Sequence, residues 1–197
     1  CLSAEAILYA TALMLRNDKQ LSSKYIQLLS KTYQFIEDVM KPTGEMPQFG
    51  DNDSGRLFVF QQQNTLLNYE GLLSGFKGLF ENEKDDAVSC KIIQQLSNQQ
   101  IIKYFPKKEV EQILKKQPLK KLQHTKTTTL QFNSSINLNK ITPFSYKEFG
   151  IYGFKSDTFY LAISAISNPK MHHSWGHVHN DKLSFELQVN GNDLVKD

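Results

Sequence analysis

Cysteine is nearly missing from this chain: Cys1 and Cys90 are the only two in 197 residues. Such a pair builds neither a disulfide framework nor a thiolate metal site, and it says little about redox compartment. No apolar run approaches the roughly 18 residues that a membrane helix needs, and no signal peptide is present. Charge of one sign is lacking too. The formal net charge is +3 and the lysines are scattered rather than massed, so nothing points to a nucleic-acid module. A mildly basic balance would suit an acidic substrate, but a charge this small serves solubility equally well. There is no P-loop, dinucleotide fingerprint or serine nucleophile elbow. What remains, 40% apolar and 22% charged, is enough to bury a core in one domain or two small ones.

The chain opens on Cys1 rather than methionine, inside a helical pattern, and stops at Asp197 in mid-strand. It reads as a fragment of a longer protein, so the missing leader does not argue for the cytoplasm. Residues 1–16 and 21–40 carry apolar residues at helical spacing, and Pro42 stops the second run. Further helical segments are expected at about 60–80, 86–104 and 107–116, with Pro106 and Pro118 as punctuation. Their succession suggests an antiparallel helical array or toroid. After Pro118 the character changes. Residues 127–132 are β-rich, and residues 145–156 and 157–167 read as two strands joined by a turn near Ser156-Asp157. Helices followed by strands argue for two domains, 1–118 helical and 119–197 β, an α+β organisation.

The chemistry concentrates near the end, in HHSWGHVHNDKLSFELQVNGNDLVKD from His172 to Asp197. Four of the five histidines fall within eight residues there, beside the single tryptophan, Trp175. Leu183, Phe185, Leu187 and Val189 then alternate with Ser184, Glu186 and Gln188, the pattern of a half-buried strand. Asn190-Gly191 supplies turn chemistry, and Leu194-Val195 begins a return strand. Neutral imidazole is both the commonest metal ligand and a proton carrier near pH 7. His177 and His179 would project from one face about 7 Å apart, close enough to share a site. A metal would need a carboxylate as well, and Asp181 and Asp197 are the local candidates.

Two other motifs come close to these residues. A cupin motif also begins with Gly and His-x-His, but Glu186 and Gly191 fall at the wrong spacing for it. The loop FGDNDSGR resembles a calcium loop only superficially: an EF-hand wants a glutamate where Gln62 stands. That loop is either a capped, solvated turn or the lining of a polar cleft, with Asp51, Asp53 and Arg56 bonding sugar hydroxyls or carboxylates.

Assembled, these residues resemble the heparinase II/III family of polysaccharide lyases and lyase-like proteins. His177-x-His179-x-Asp181-x-Leu183-Ser184-Phe185-Glu186-Leu187, then Gly191 and Asp197, carries most of the likeness. The loop from Pro47 to Arg56 is a second match, in the helical part. The resemblance implies the C-terminal part of an incomplete α/α toroid, followed by the start of an antiparallel β-sandwich, with the substrate cleft between them. It implies zinc, in a structural role, on His179 and Asp197, with a further histidine ligand downstream of this chain. It makes His177 a cleft residue that assists catalysis. The reaction implied is β-elimination on a uronate-containing, acidic polysaccharide, by an exported protein of the periplasm or exterior. The tyrosine proton carrier and an Asn-His pair would lie upstream of Cys1, so the fragment alone is expected to be inactive. With a turn at Asn190-Gly191, Asp197 would pair near Ser184, so its approach to His179 rests on the resemblance alone. The alternatives are a catalytically silent carbohydrate-binding or polysaccharide-assembly protein of the same fold and, further off, a cupin-like metalloenzyme.

Overall fold

The helix α1, Leu2–Arg16, presents Leu8, Ala12 and Leu15 on one buried stripe. It closes through Asp18 in a left-handed conformation (φ 54°), with the Lys19 N–H donating back to the Met14 carbonyl at 3.0 Å. Next comes α2, Ser23–Val39, whose N-terminus is capped by Ser22: its side chain accepts from the Tyr25 N–H. Helices α3, Glu70–Phe80, and α4, Val88–Ser97, follow in the described part of the helical layer. The structure, a computed structural model, describes residues 2–50, 55–58, 67–80, 87–97, 140–165 and 181–196. The expected helix at 107–116, the β-rich stretch at 127–132 and the boundary near residue 118 lie outside them. The four described helices share one apolar cluster built from Leu8, Leu15, Ile26, Leu29, Ile36, Phe76, Leu79 and Ile93. Tyr33 lies in it, stacked between Phe76 and Phe80 with centroids 6.0 and 5.9 Å away.

Among the described residues the β part is a five-stranded antiparallel meander: β1 Thr142–Tyr146, β2 Ile151–Lys155, β3 Phe159–Ser164, β4 Phe185–Val189 and β5 Asn192–Val195. The fold is therefore α+β. Two expectations need correcting. Residues 145–156 do not form one strand. They hold the end of β1, a 3-10 turn at Lys147–Phe149, a left-handed Gly150 (φ 63°) and then β2. The corner folds two strands back on each other with too few residues for periodicity to register it.

The second correction concerns β4. Its alternation is real, but the buried face is the polar one: Glu186 and Gln188 are 0% and 2% exposed, whereas Leu183 and Phe185 are 74% and 45% exposed. Register explains the consequence. Phe144, Gly153, Ala162 and Glu186 form one row across β1 to β4, and they face the helices with Tyr160 and Gln188. Tyr152, Phe154 and Phe185 fall on the outer face and stay exposed among the described residues. At Gly153 a β-carbon would run into the Leu161 carbonyl and the Phe144 ring. The bare backbone lets that ring lie over β2, 6.1 Å from Tyr160.

The sheet also finishes helix α2. The last carbonyls of a helix have no partner within it and carry its negative dipole end. Here Lys155 Nζ donates to the carbonyls of Glu37, at 2.7 Å, and of Met40. The Tyr160 hydroxyl donates to Val39 at 2.6 Å. Burial, then the nearby Glu186 charge, pushes the Tyr160 phenol up, so it stays a proton donor. The Tyr146 hydroxyl donates to Asp38 at 2.8 Å, and burial with that carboxylate raises its pKa likewise.

Candidate functional site where the loop meets the terminal strands

The two segments singled out by sequence are bonded to each other. The Gln48 N–H donates to Glu186 Oε1 at 2.6 Å, and the Gly50 N–H donates to Asp181 Oδ2 at 2.5 Å. Alternate amides of the Pro47–Arg56 loop are thus received by two carboxylates of the terminal segment. Hydrogen bonds to an ionised acceptor are shorter and stronger than neutral ones. Gly50 is left-handed (φ 76°), a conformation that costs glycine nothing and turns the chain at that point.

Beneath this contact lies a charge pair. Lys41 is 1% exposed, and its ammonium sits 2.6 Å from Glu186 Oε2 and 3.0 Å from Asp193 Oδ1. The Gln188 amide nitrogen donates to Asp193 Oδ1 at 2.9 Å and Thr43 Oγ1 at 3.1 Å. The line runs outward to Lys196, 3.6 Å from Asp193 and 3.3 Å from Glu45. Opposite charges therefore alternate from Glu186 in the interior to Lys196 at the surface. Burial alone would raise the Asp193 pKa, but bonds from Lys41 and Gln188 and the charges of Lys41 and Lys196 outweigh it and hold it below the ordinary carboxylate range.

The turn before β4 is tied as firmly. The Asp181 carbonyl accepts from the Ser184 hydroxyl at 2.9 Å, and the Leu183 N–H donates to Ser164 at 2.7 Å. Asn190 and Gly191 both take positive φ, 50° and 77°, as a two-residue hairpin demands. Pairing then runs Val189 with Asn192, Gln188 with Asp193 and Leu187 with Val195. Leu194 is the extra residue of a bulge, so the register beyond it differs by one from that of a regular hairpin.

The far end of the loop is fixed to α1. Arg56 lies 3.6 Å from Glu5 and donates to the Asn68 carbonyl at 2.5 Å. Its guanidinium carbon stands 3.6 Å from the Tyr69 ring centroid. Glu5 also accepts the Leu57 N–H at 2.6 Å. Burial, then Glu5, pushes the neighbouring Tyr9 phenol up to about 12. Arg56 is therefore turned inward, and its described contacts are all within the protein.

Of the other expected site residues, His177, His179, Asp197, Asp51 and Asp53 lie outside the described residues. Among the described residues no group of three or more His, Cys, Asp or Glu could hold a metal ion. No described helix is long and apolar enough to cross a membrane. Lys41 and Asp193 were not legible as site residues. The available signal was the polar triplet Ser184, Glu186 and Gln188 on one strand face, which asks for a buried cation if that face turns inward.

Residues 140–197 match the family described as heparinase II/III-like, C-terminal. No curated protein and no solved structure matches the chain. The matched residues take in the whole described sheet and the His177-to-Asp197 motif, and this C-terminal part of the chain is similar to the heparinase II/III-like family.

Proposed function

We propose that this chain is part of a polysaccharide lyase that cleaves a uronate-containing polysaccharide by β-elimination, as an exported protein. The observation that carries the reading is the union of its two motifs. The loop from the helical layer and the family-matched terminal segment are bonded directly, amide to carboxylate, at Gly50–Asp181 and Gln48–Glu186. Two walls joined in this way would form one side of a cleft. The exposed apolar outer face, with Tyr152, Phe154 and Phe185, supports a second sheet covering it, as in a sandwich. The helical layer would belong to an α/α toroid.

In the reaction a base takes the C5 proton of the uronate, the C4–O bond breaks, and a C4–C5 double bond forms. An acid protonates the departing glycosidic oxygen. Hydrogen-bond donors must meanwhile offset the charge building on the carboxylate. His177 would face the substrate and assist in this step, with a tyrosine and an Asn-His pair from upstream of Cys1. Asp51 and Asp53 would bond sugar hydroxyls, with Arg56 holding their loop from behind. Imidazole and carboxylate are donors that zinc accepts, so His179 and Asp197 would hold it with a ligand from downstream. Its contribution would be structural, fixing loops beside the cleft.

The test uses the full-length parent protein with a panel of uronate polysaccharides, following the ultraviolet absorbance of the unsaturated product. A rising signal that vanishes in His177→Ala, with metal content unchanged, is expected. His179→Ala should instead lower zinc content and melting temperature together. A flat trace for the folded, zinc-loaded parent would overturn the lyase reading in favour of a silent carbohydrate-binding or assembly role.

A further inference from the structure

The bonds between the helical layer and the sheet fall on one stretch, Glu37 to Gly50. The carbonyls of Glu37, Val39 and Met40 accept from Lys155 and Tyr160, and Asp38 accepts from Tyr146. Lys41, Thr43 and Glu45 meet Glu186, Asp193, Gln188 and Lys196. The amides of Gln48 and Gly50 meet Glu186 and Asp181. The stretch itself belongs with the helices. Met40 is part of their apolar cluster, the Met46 N–H donates to the Leu67 carbonyl at 2.9 Å, and the Gly44 carbonyl accepts from the Tyr69 N–H at 2.8 Å. The bonded surface therefore runs between residues 37–50 on one side and the inward face of the sheet on the other.

Charge decides how such a surface can open. Breaking the Lys41–Glu186 contact alone would leave one ion buried without its partner, which is strongly unfavourable. Parting the two sides completely puts both ions in water, where neither needs the other. It also wets Ser164 Oγ and Gln188 Oε1, which are buried on the inward face without a hydrogen bond. Against this stands only a small apolar contact, Val39, Phe144, Tyr160 and Ala162 with their neighbours. Partial opening is thus the costly condition, and closed or fully parted are the two that hold. We propose that the junction is a two-state latch: the sheet undocks from residues 37–50 in one step, as an intact body, while the helices stay folded. When it opens, the helices keep their own cluster from Leu8 to Ile93, and the strands keep the ladders of β1 to β5. Packed interfaces switch between discrete arrangements rather than deforming continuously, and openings of this sub-global kind lie below complete unfolding in free energy. The latch holds whether or not the parent cleaves polysaccharide, since every residue in it belongs to the junction.

The experiment is hydrogen exchange resolved to single amides on the full-length parent, with Tyr160→Phe and Ile93→Val beside it. Gln48 and Gly50 are the reporters, because their N–H groups cross the junction. Corrected for intrinsic rates, the two should be protected to within about threefold of each other, and at least about tenfold less than the slowest amides of α3 and β3. Tyr160→Phe removes the bond to Val39 and touches neither reporter's bond. It should still speed Gln48 and Gly50 alike by about fivefold, the scale of one lost hydrogen bond. Ile93→Val lies within the helical cluster. It should speed the slowest α3 amides roughly 2- to 10-fold and leave Gln48 and Gly50 within twofold of the parent. Reporters that respond separately to Tyr160→Phe, or not at all, would mean local fraying and overturn the latch. Reporters as slow as the α3 amides, or equally quickened by Ile93→Val, would show that the junction opens only when the helices unfold. Amides of β3 exchanging as fast as Gln48 would overturn the intact sheet.

Discussion

The helical layer and its junction with the sheet are held by different forces. Within the helices a broad apolar cluster does the holding, from Leu8 through Tyr33 and Phe76 to Ile93. At the junction the apolar cluster shrinks to Val39, Phe144, Tyr160 and Ala162 with their neighbours. There Lys41, Glu186 and Gln188 are buried beside it, and Lys155 and Tyr160 bond the end of α2. Apolar burial is non-directional and roughly proportional to area. Hydrogen-bonded charge needs one geometry and loses heavily if displaced. The comparison teaches that the helices supply stability while the junction supplies placement.

The sharpest way to break that distinction is to remove one partner of the junction's ion pair. Lys41→Met should cost about 3–5 kcal/mol by denaturant unfolding, because Glu186 is left buried and uncompensated. Adding Glu186→Gln should recover a substantial part, since the surviving amide still accepts from Gln48. A double variant as unstable as Lys41→Met would mean that the pair stabilises outright. In the helical layer Phe76→Ala should cost a similar 3–5 kcal/mol through lost contact and cavity. No second substitution beside it should restore stability by removing charge. Gly153→Ala should cost about 1–3 kcal/mol by overpacking, detected as a lowered melting temperature. Tyr160→Phe removes only the bond to Val39 and should cost about 1 kcal/mol.

The smallest effect is electrostatic. Asp193 titrates below its ordinary value of 3.8, so its stabilising contribution is present above that pH and fades as acid takes the pH through the depressed value. Asp193→Asn should flatten this part of the acid unfolding curve. An unchanged curve would show that the Lys41–Asp193 contact is energetically idle.

Sequence periodicity found the first two helices almost to the residue, because each buries one stripe and Pro42 marks the end of the second. The closing hairpin was legible for the same kind of reason: Asn190 and Gly191 can both take positive φ. The His-x-His motif led to the family that residues 140–197 match. The inward side of β4 was not legible. Alternation says which residues share a face, but not which face turns inward, and in a sheet with helices on one side and apolar residues on the other both directions are plausible on pattern. Lys41 was hidden for a further reason. A lysine beside the proline that ends a helix looks solvated, and its partners lie too far along the chain for any local window.

That distance has a consequence for how the protein is made. The bonds of Lys41, Gln48, Gly50 and Thr43 to Asp193, Glu186, Asp181 and Gln188 span 131 to 152 positions of sequence. Contacts of such separation form slowly, since a long loop must close before they give anything back. During synthesis the helices emerge first, and domains generally fold in that order. Until β4 and β5 are complete, Lys41 has no carboxylate from the sheet and is best kept in water. The end of α2 and the loop after it therefore wait open on the nascent chain until β4 and β5, translated well after them, close them.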